Sequence, residues 1–534
     1  MDRAAAWQAG AIDGPAGPSY SIKKAPRLRP PMDHALEAEL TLSAPAKDPT
    51  ALAARLGALA EEALRRTIGN RGEGRLAAAR VEGDRVHLTL EANGARPHQA
   101  LLALVRRLAE ELGRSEKIGV RSFRAPSYRV SFDLEAPPAH PVGLPIPHRL
   151  SIEGTKASLT LTDLGEEALR DNWMDRTVLL VQEKVRKQGY EGKEQYWSLL
   201  SASPRREMTF ARDPTEEMIA RNWVRGGPTK GKWFLGPTAA HLLKTMGRIA
   251  RTEVLEPLGF SEVVQPHHDS FDILLRTGHL EGLPMEFYYV TEPRTRDPAA
   301  WETFTDLVKI TRHVPEEELA RLVSPPRAVS CYAQCPTIYW WLSGRTIGLE
   351  SLPLRIFDGT AISNRYESGG RHGLERVDEF HRLEPVYLGT PEQLVDLREA
   401  LLRRYAHVFD DLLELEWRTA WVTPFYLQQS GGVGVEDVQE RIKGTIDFEA
   451  YLPYRGDREG SEWLEFQNLS IVGDKYTRAF TIRAQKGELW SGCSGIGLER
   501  WLTAFLAQKG LDPDGWPAGF RRYVGTLPPE VRFL

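Results

Sequence analysis

Cations, a carboxylate and an aromatic ring recur at strand spacing in two neighbouring segments of the chain. Arg365 and Glu367 are two residues apart, so they share one face of an extended strand. Phe380, Arg382 and Glu384 share one face of a second strand by the same period, and a glycine-rich, basic loop joins the two strands. Such groups beside a basic loop are typical of a site that holds a bent nucleoside triphosphate.

A second segment with related chemistry lies near the C-terminal end, at residues 491–501. Its glycine-rich strand end leads into a helix whose apolar residues recur at i, i+3, i+4 and i+7 from Leu498. Arg500 falls in the first turns of that helix. A helix N-terminus and an arginine together favour a phosphate group. Glycine-rich turns alone are weak evidence for a phosphate site. Residues 491–501 therefore support a nucleotide site only together with the two strands described above.

Two further segments bear on a nucleotide site. Residues 252–259 read as the end of a helix, and residues 260–266 read as a strand that Pro266 closes. Residues 226–232, with the sequence GGPTKGK, only imitate a P-loop, because Trp233 stands where the P-loop requires Ser or Thr.

Composition limits the class of protein that carries these segments. The chain has 534 residues, of which 41% are hydrophobic and 27% charged, as in a globular protein of several domains. No apolar run approaches a membrane span, and the N-terminus lacks a signal-peptide pattern. Three cysteines cannot form a disulfide scaffold, so we expect a cytoplasmic chain whose cysteines are free or bind metal.

The elements that position these residues fall into an expected series of domains. Residues 1–32 form a flexible basic tail, and residues 33–135 contain two strand–helix–strand units, which predict a small α+β domain with helices on one face of an antiparallel sheet. Arginines decorate this domain, which suits an anionic partner. Residues 136–150 are a proline-rich linker. Residues 151–534 form a large body with a helical insertion around 389–420. The insertion begins with a capping box at residues 390–393 and is expected to pack over the site, with its apolar stripe serving core packing.

Pro266, the pair Arg365 and Glu367, and the run Gly495–Arg500 resemble, in this order, motifs 1, 2 and 3 of class II aminoacyl-tRNA synthetases. Neither class I signature, HIGH or KMSKS, occurs in the sequence. The resemblance implies an α+β catalytic domain, in which helices flank an antiparallel sheet. It also implies that the chain forms a homodimer through motif 1.

The positions of the cysteines narrow the resemblance to one group within the class II synthetases. Cys335 precedes motif 2, Glu384 ends the second motif 2 strand, and Cys493 lies within motif 3. Two thiolates and a carboxylate with an open fourth position suit Zn²⁺ that takes a substrate ligand. This set is similar to that of the methanogenic-type seryl-tRNA synthetases, in which zinc held by Cys, Glu and Cys captures the amino group of serine. Cys331, four residues before Cys335, is an alternative ligand.

The resemblance also implies roles for the residues of the nucleotide site. Arg365 binds the α-phosphate of ATP, Glu367 helps to position the nucleotide, and Phe380 stacks on the adenine. Arg376 and Arg500 hold the γ-phosphate. Arg365, Glu367 and Arg500 are thus the expected catalytic residues.

Magnesium is expected to bridge the phosphates, with Glu465 and Asn468 as its protein contacts. These two residues are three apart, which puts them on opposite faces of a flat strand. A bulge or a local twist is therefore required if both are to reach one ion.

The predicted function is that of a serine–tRNA ligase that uses ATP, serine and a serine-type tRNA and has no membrane partner. Catalysis would consist mostly of positioning and charge stabilisation, since adenylate formation needs little proton transfer. Three alternatives stay open: a homologue that loads a small amino acid onto a carrier protein, a synthetase of specialised metabolism, and a non-catalytic paralogue. About 130 residues before the body favour tRNA over a carrier protein, because the carrier-loading relatives lack such a domain.

Overall fold

The structure, a computed structural model, describes residues 32–68, 73–188, 197–360, 362–366, 370–422 and 442–531. The chain divides into two compact units, Met1–Lys193 and Glu194–Leu534. Within the described ranges, no helix is both long enough and apolar enough to cross a membrane.

The first unit is a six-stranded antiparallel sheet with four helices. The strand order is β2-β3-β1-β4-β6-β5. Alternate residues of the first strand, from Leu36 to Leu42, are buried against the helices, as the alternation of the sequence predicts. The strands are β1 Asp33–Leu42, β2 Glu73–Glu82, β3 Arg85–Asn93, β4 Val120–Asp133, β5 His148–Glu153 and β6 Lys156–Gly165; the helices are α1 Pro49–Ile68, α2 Pro97–Ser115, α3 Glu166–Arg170 and α4 Trp173–Gln188.

The end of this unit differs from the predicted division of the chain. Strands β5 and β6 form a hairpin that extends the sheet beside β4, with Val130 opposite Leu159. Leu159 and Leu161 are buried in the core of the first unit. The proline-rich residues 136–147 are therefore a loop inside this unit, which continues to Lys193 and does not end at residue 135.

The second unit is built on a nine-stranded sheet. Its order is β10-β15-β17-β22-β20-β19-β18-β7, and β16 pairs with β17 beside this path. Every pair in it is antiparallel except β10 with β15. Its strands are β7 Trp197–Ala202, β10 Ser261–Val263, β15 Leu354–Asp358, β16 Ile362–Asn364, β17 Glu379–Gly389, β18 Trp417–Val422, β19 Gly444–Ala450, β20 Leu464–Gly473 and β22 Trp490–Gly497.

Short strands and eleven described α-helices, besides short 3₁₀ and π helices, complete the second unit. The short strands are β8 Val224–Gly226, β9 Trp233–Leu235, β11 His268–Ser270, β12 Tyr289–Val290, β13 Ala328–Ser330, β14 Thr346–Ile347 and β21 Arg483–Ala484. The helices are α5 Pro214–Ala220, α6 Pro237–Ile249, α7 Phe271–Thr277, α8 His279–Gly282, α9 Glu302–Thr311, α10 Glu316–Leu322, α11 Cys335–Trp341, α12 Pro391–His407, α13 Lys475–Ala479, α14 Leu498–Lys509 and α15 Ala518–Val524. Together with the first unit, this confirms the predicted α+β class.

Helix α12 begins with the capping box that the sequence predicts, but it lies on the other side of the sheet from the expected one. The Gln393 amide donates to Thr390 Oγ1 at 3.3 Å, and the Thr390 amide donates to Gln393 Oε1 at 2.9 Å. Tyr405 of this helix bonds Ser494 of β22 at 2.9 Å. Because successive side chains of a strand point to opposite faces, α12 packs behind the face that carries Cys493. Its apolar stripe is therefore core.

Candidate functional site

A cluster of three potential metal ligands forms where β17, β22 and α11 meet. Antiparallel pairing of Val386 with Cys493 brings Glu384 and Cys493 to one face of the sheet. Cys335 is the first residue of α11. One ligand atom from each of Cys335, Glu384 and Cys493 lies within 4.8 Å of the others, and all three residues are buried.

The electrostatics of this cluster suit a cation. Burial raises the pKa of Glu384, and the charge of Arg382 opposes that shift. The contact with Cys493 and burial raise the pKa of Cys335. Glu384 is fully buried, and its carboxylate forms an ion pair with Arg382. Two sulfurs and an oxygen at this separation fit the donor set of tetrahedral zinc.

Cys331, the alternative ligand, is buried outside this cluster. Its backbone amide donates to the carbonyl of His267 at 2.8 Å. Burial raises the pKa of its thiol, and the carboxylate of Asp269 adds to that shift. Of the two neighbouring cysteines, the structure thus brings Cys335 to Glu384 and Cys493.

A small, open cleft lies between the two arginine-bearing segments. Arg365 and Phe380 line it from motif 2, and Gly497 and Arg500 line it from the start of α14. The Arg365 guanidinium is 5.3 Å from the centroid of the Phe380 ring. A cation and an aromatic ring face a helix N-terminus here, as a nucleotide site requires.

Arg500 spans two elements of this cleft. Its Nη1 donates to the carbonyl oxygen of Glu465 at 2.8 Å and to the carboxylate of the same residue at 3.2 Å. Its Nε donates to the carbonyl oxygen of Glu375 at 3.1 Å. The guanidinium is thereby fixed between β20 and the loop that precedes β17.

The bulge required for Glu465 and Asn468 is present in β20. Phe448 of β19 faces Gln467, whereas the next residue, Glu449, faces Glu465, so Phe466 is the extra residue. The Asn468 side-chain amide donates to Glu465 Oε1 at 3.1 Å. Burial acts to raise the pKa of Glu465, but the charge of Arg500 and the Asn468 hydrogen bond outweigh it, and the pKa is lowered.

Arg376, one of the predicted nucleotide residues, is not brought into this arrangement. Arg376 forms an ion pair with Glu462 and is not among the residues that line the cleft. Glu367 lies outside the described residues.

Sequence reasoning missed Asp447, which lies opposite Asn468 on β19. Burial and the charge of Glu465 raise its pKa well above the ordinary value. Asp447 and Glu449 are two residues apart in a strand, so the spacing that identified Arg365 and Glu367 could also have found this pair.

The chain is similar to known proteins over most of its length. A family model described as a tRNA-binding domain matches residues 32–183. The type-2 serine–tRNA ligase of Methanococcoides burtonii is 44% identical over 85% of this chain and 89% of its own length. The enzyme of that name from Methanothrix thermoacetophila is 43% identical over 86% and 91%. A crystal structure of A. aeolicus tRNASec in complex with M. kandleri SerRS shares 30% identity, with a TM-score of 0.74, over 94% of this chain and 99% of that one.

Proposed function

Because this chain belongs to the family of type-2 serine–tRNA ligases, we propose that it forms seryl-adenylate on the sheet face that carries Cys335, Glu384 and Cys493. The enzyme is a ligase that joins serine to tRNA with ATP. The observation that carries the proposal is that the three-donor cluster and the arginine-lined cleft both lie along the paired strands β17 and β22.

In the proposed site, Cys335, Glu384 and Cys493 hold one zinc ion. The bound ion would supply a fourth coordination position for the α-amino group of serine, and so fix the amino acid by its amine. Arg382 pairs with Glu384 through its Nε. This pairing favours the carboxylate form of Glu384, which is the form that binds a metal.

The nucleotide lies in the cleft in this proposal. Phe380 stacks on adenine, Arg365 binds the α-phosphate with help from Glu367 in placing the nucleotide, and Arg500 binds the γ-phosphate. The serine carboxylate attacks the α-phosphorus in line, the bond to pyrophosphate breaks, and pyrophosphate leaves. The arginines lower the barrier by neutralising charge on the phosphates, since no proton has to move in this step.

Magnesium and one further arginine complete the proposed nucleotide site. Glu465 and Asn468 would hold Mg²⁺, which would supply positive charge to the phosphates, and the lowered pKa of Glu465 keeps its carboxylate charged for that role. Arg376 joins Arg500 at the γ-phosphate after its ion pair with Glu462 opens.

Transfer to tRNA is the second step. The terminal ribose hydroxyl of the tRNA attacks the adenylate carbonyl, and AMP leaves. We assign tRNA binding to the first unit, because residues 32–183 match a tRNA-binding family model. The same match disfavours a carrier-protein substrate. A cytoplasmic location fits an enzyme that acts on tRNA, and the motif 1 resemblance supports a homodimer.

The decisive experiment is exchange of labelled pyrophosphate into ATP with a panel of serine, alanine, glycine and threonine. We expect exchange that depends on serine. Exchange driven equally by another member of the panel would overturn the assignment of serine, and a complete lack of exchange would identify a non-catalytic paralogue.

A further inference from the structure

The hairpin formed by β8 and β9 carries the turn that imitates a P-loop. Residues 227–232 of that turn lie against the part of motif 2 that leads back into β17. We define this part, residues 370–378, as the return arm. Since the turn lacks the P-loop hydroxyl, its contacts with the return arm indicate a different use.

Asp378 joins the hairpin to Arg365 through its backbone. Its amide donates to the carbonyl of Gly231 at 2.7 Å, and its carbonyl accepts from the amide of Arg365 at 2.8 Å. The backbone of Arg365 is thus one residue away from the hairpin. A shift of the hairpin relative to β17 would move Arg365 with it.

The carboxylate of Asp378 makes a second junction at the same place. It is fully buried, and its Oδ2 accepts from Tyr288 Oη at 2.6 Å and from Arg371 Nε and Nη2 at 2.8 Å and 2.6 Å. The Arg371 guanidinium in turn lies 4.5 Å from the centroid of the Tyr366 ring, next to Arg365. One buried charge therefore fixes both ends of the return arm.

Glycine at position 231 permits this close approach. Its φ is +75°, and a Cβ there would lie 2.6 Å from Cγ of Asp378 and 2.8 Å from Nε of Arg371. Lys232, the next residue, pairs with Glu379 at 3.0 Å. The hairpin is thus fitted to the return arm by shape as well as by charge.

We propose that Asp378 is a positioning residue for ATP binding, which fixes Arg365 and the return arm against the β8–β9 hairpin before the nucleotide arrives. The inference rests on the proposed function, because it takes Arg365 as an ATP contact. A prearranged arginine binds a phosphate without the cost of ordering a loop, so loss of the junction weakens ATP binding selectively.

The first test is Asp378→Asn in serine-dependent pyrophosphate exchange by the full chain. The substitution keeps the shape but removes the charge that Arg371 and Tyr288 share. We expect the KM for ATP to rise about tenfold, the effect of losing charge-assisted hydrogen bonds, with the KM for serine within about twofold of wild type. A purely structural role would lower the amount of active enzyme and leave both KM values unchanged.

The second test reaches the same junction from the hairpin. Gly231→Ala introduces a Cβ against Asp378, and we expect it to raise the KM for ATP as well. Among the described residues, Gly344 has a similar φ of +72° and Gly226 lies on the same hairpin, and neither has an atom within 4 Å of its added Cβ. Gly344→Ala and Gly226→Ala are therefore matched controls that should keep the wild-type KM for ATP.

The outcomes separate this inference from the proposed function. Wild-type enzyme without serine-dependent exchange would overturn the proposed function itself. Active wild type, with Asp378→Asn and Gly231→Ala both within twofold in the KM for ATP, would overturn only the positioning role. If Asp378→Asn does not fold, Tyr288→Phe, which removes one of the three side-chain hydrogen bonds, replaces it, with an expected rise of about threefold and an unchanged value as the contrary result.

Discussion

Glu384 has the most demanding surroundings of any residue in the proposed site. It is fully buried and adjoins two thiols, and Arg382, two residues earlier on the same strand, is its ion-pair partner. A buried carboxylate is costly unless it is paired or coordinated. Arg382 and the proposed zinc ion would both stabilise the charge of Glu384. The zinc content of the protein therefore measures whether the proposed site is formed.

Cys335→Ser is expected to abolish metal binding, whereas Cys331→Ser leaves it unchanged. Both cysteines are buried and four residues apart, but only Cys335 lies in the three-donor cluster. Elemental analysis of the purified chain should give about one zinc for wild type and Cys331→Ser, and close to none for Cys335→Ser. Equal zinc in the two variants would contradict the assignment.

Asp269 predicts a pH dependence of stability. Burial raises its pKa from an ordinary 3.8 to about 6, and the hydrogen bond from Thr337 offsets only part of that shift. A raised pKa means that the folded state retains the proton. The associated stability is fully present below about pH 4 and is lost as the pH rises through 6, by about 3 kcal/mol.

Asp269→Asn should remove this dependence and still accept the Thr337 hydrogen bond. We expect the variant to unfold at a higher temperature than wild type at pH 7.5 and to differ little from it at pH 4. Thermal denaturation at the two pH values checks this. A difference between the proteins that is the same at both values would show that Asp269 does not titrate in this range.

At the scale of elements, the two faces of the large sheet have different roles. The face with Glu384, Cys493 and Asn468 carries the proposed site, and the opposite face packs against α12 through Tyr405 and Ser494. The bulge at Phe466 adjusts the first face without disturbing the second. Stability of α12 should therefore be separable from catalysis.

Thr390→Ala is expected to destabilise α12 by about 1 kcal/mol, because it removes the hydroxyl that accepts the hydrogen bond from the Gln393 amide. Thr390→Ser keeps the hydroxyl and serves as the matched control. Guanidinium denaturation measures the difference in unfolding free energy. The KM for ATP in pyrophosphate exchange should not change in either variant, and a change would place α12 in contact with the nucleotide site.

For the molecule as a whole, the boundary at Lys193 decides how it can be divided. A chain that begins at residue 194 should retain serine-dependent exchange and lose the charging of tRNA, since it lacks the matched tRNA-binding region. A chain that begins at residue 136 should be less soluble, because it keeps the β5–β6 hairpin without β4, against which Leu159 is buried. Equal charging by the shorter chain would remove the first unit from tRNA recognition.

Homodimer formation is also a property of the whole molecule. The motif 1 resemblance, at residues 252–266, predicts a dimer of twice the chain mass of 60.1 kDa. Light scattering coupled to size exclusion measures this mass. A monomer that still charges tRNA would show that motif 1 has no assembly role in this chain.

Much of the fold could be predicted from the local spacing of residues in the sequence. The alternation of β1, the apolar stripe of α14 and the capping box of α12 are short-range patterns, and the structure has each of them. The end of the first unit could not be read in this way, because the β5–β6 hairpin joins a sheet whose other strands are far away in sequence. The side of the sheet that α12 covers could not be predicted for a related reason. It depends on which face of β22 the helix contacts, and that is a contact between distant segments.

The sequence by itself determined the chemical parts of this protein, namely the three motifs in order, the Cys–Glu–Cys candidates and the need for a bulge between Glu465 and Asn468. The periods of two and 3.6 are local properties of a chain, and the motifs and ligand candidates follow from the resemblance of such local patterns to a known family. Only the tertiary structure decided between Cys331 and Cys335, and only it brought the β8–β9 hairpin to Asp378. Both depend on strand register and on contacts between distant segments, where a shift of one residue reverses the face.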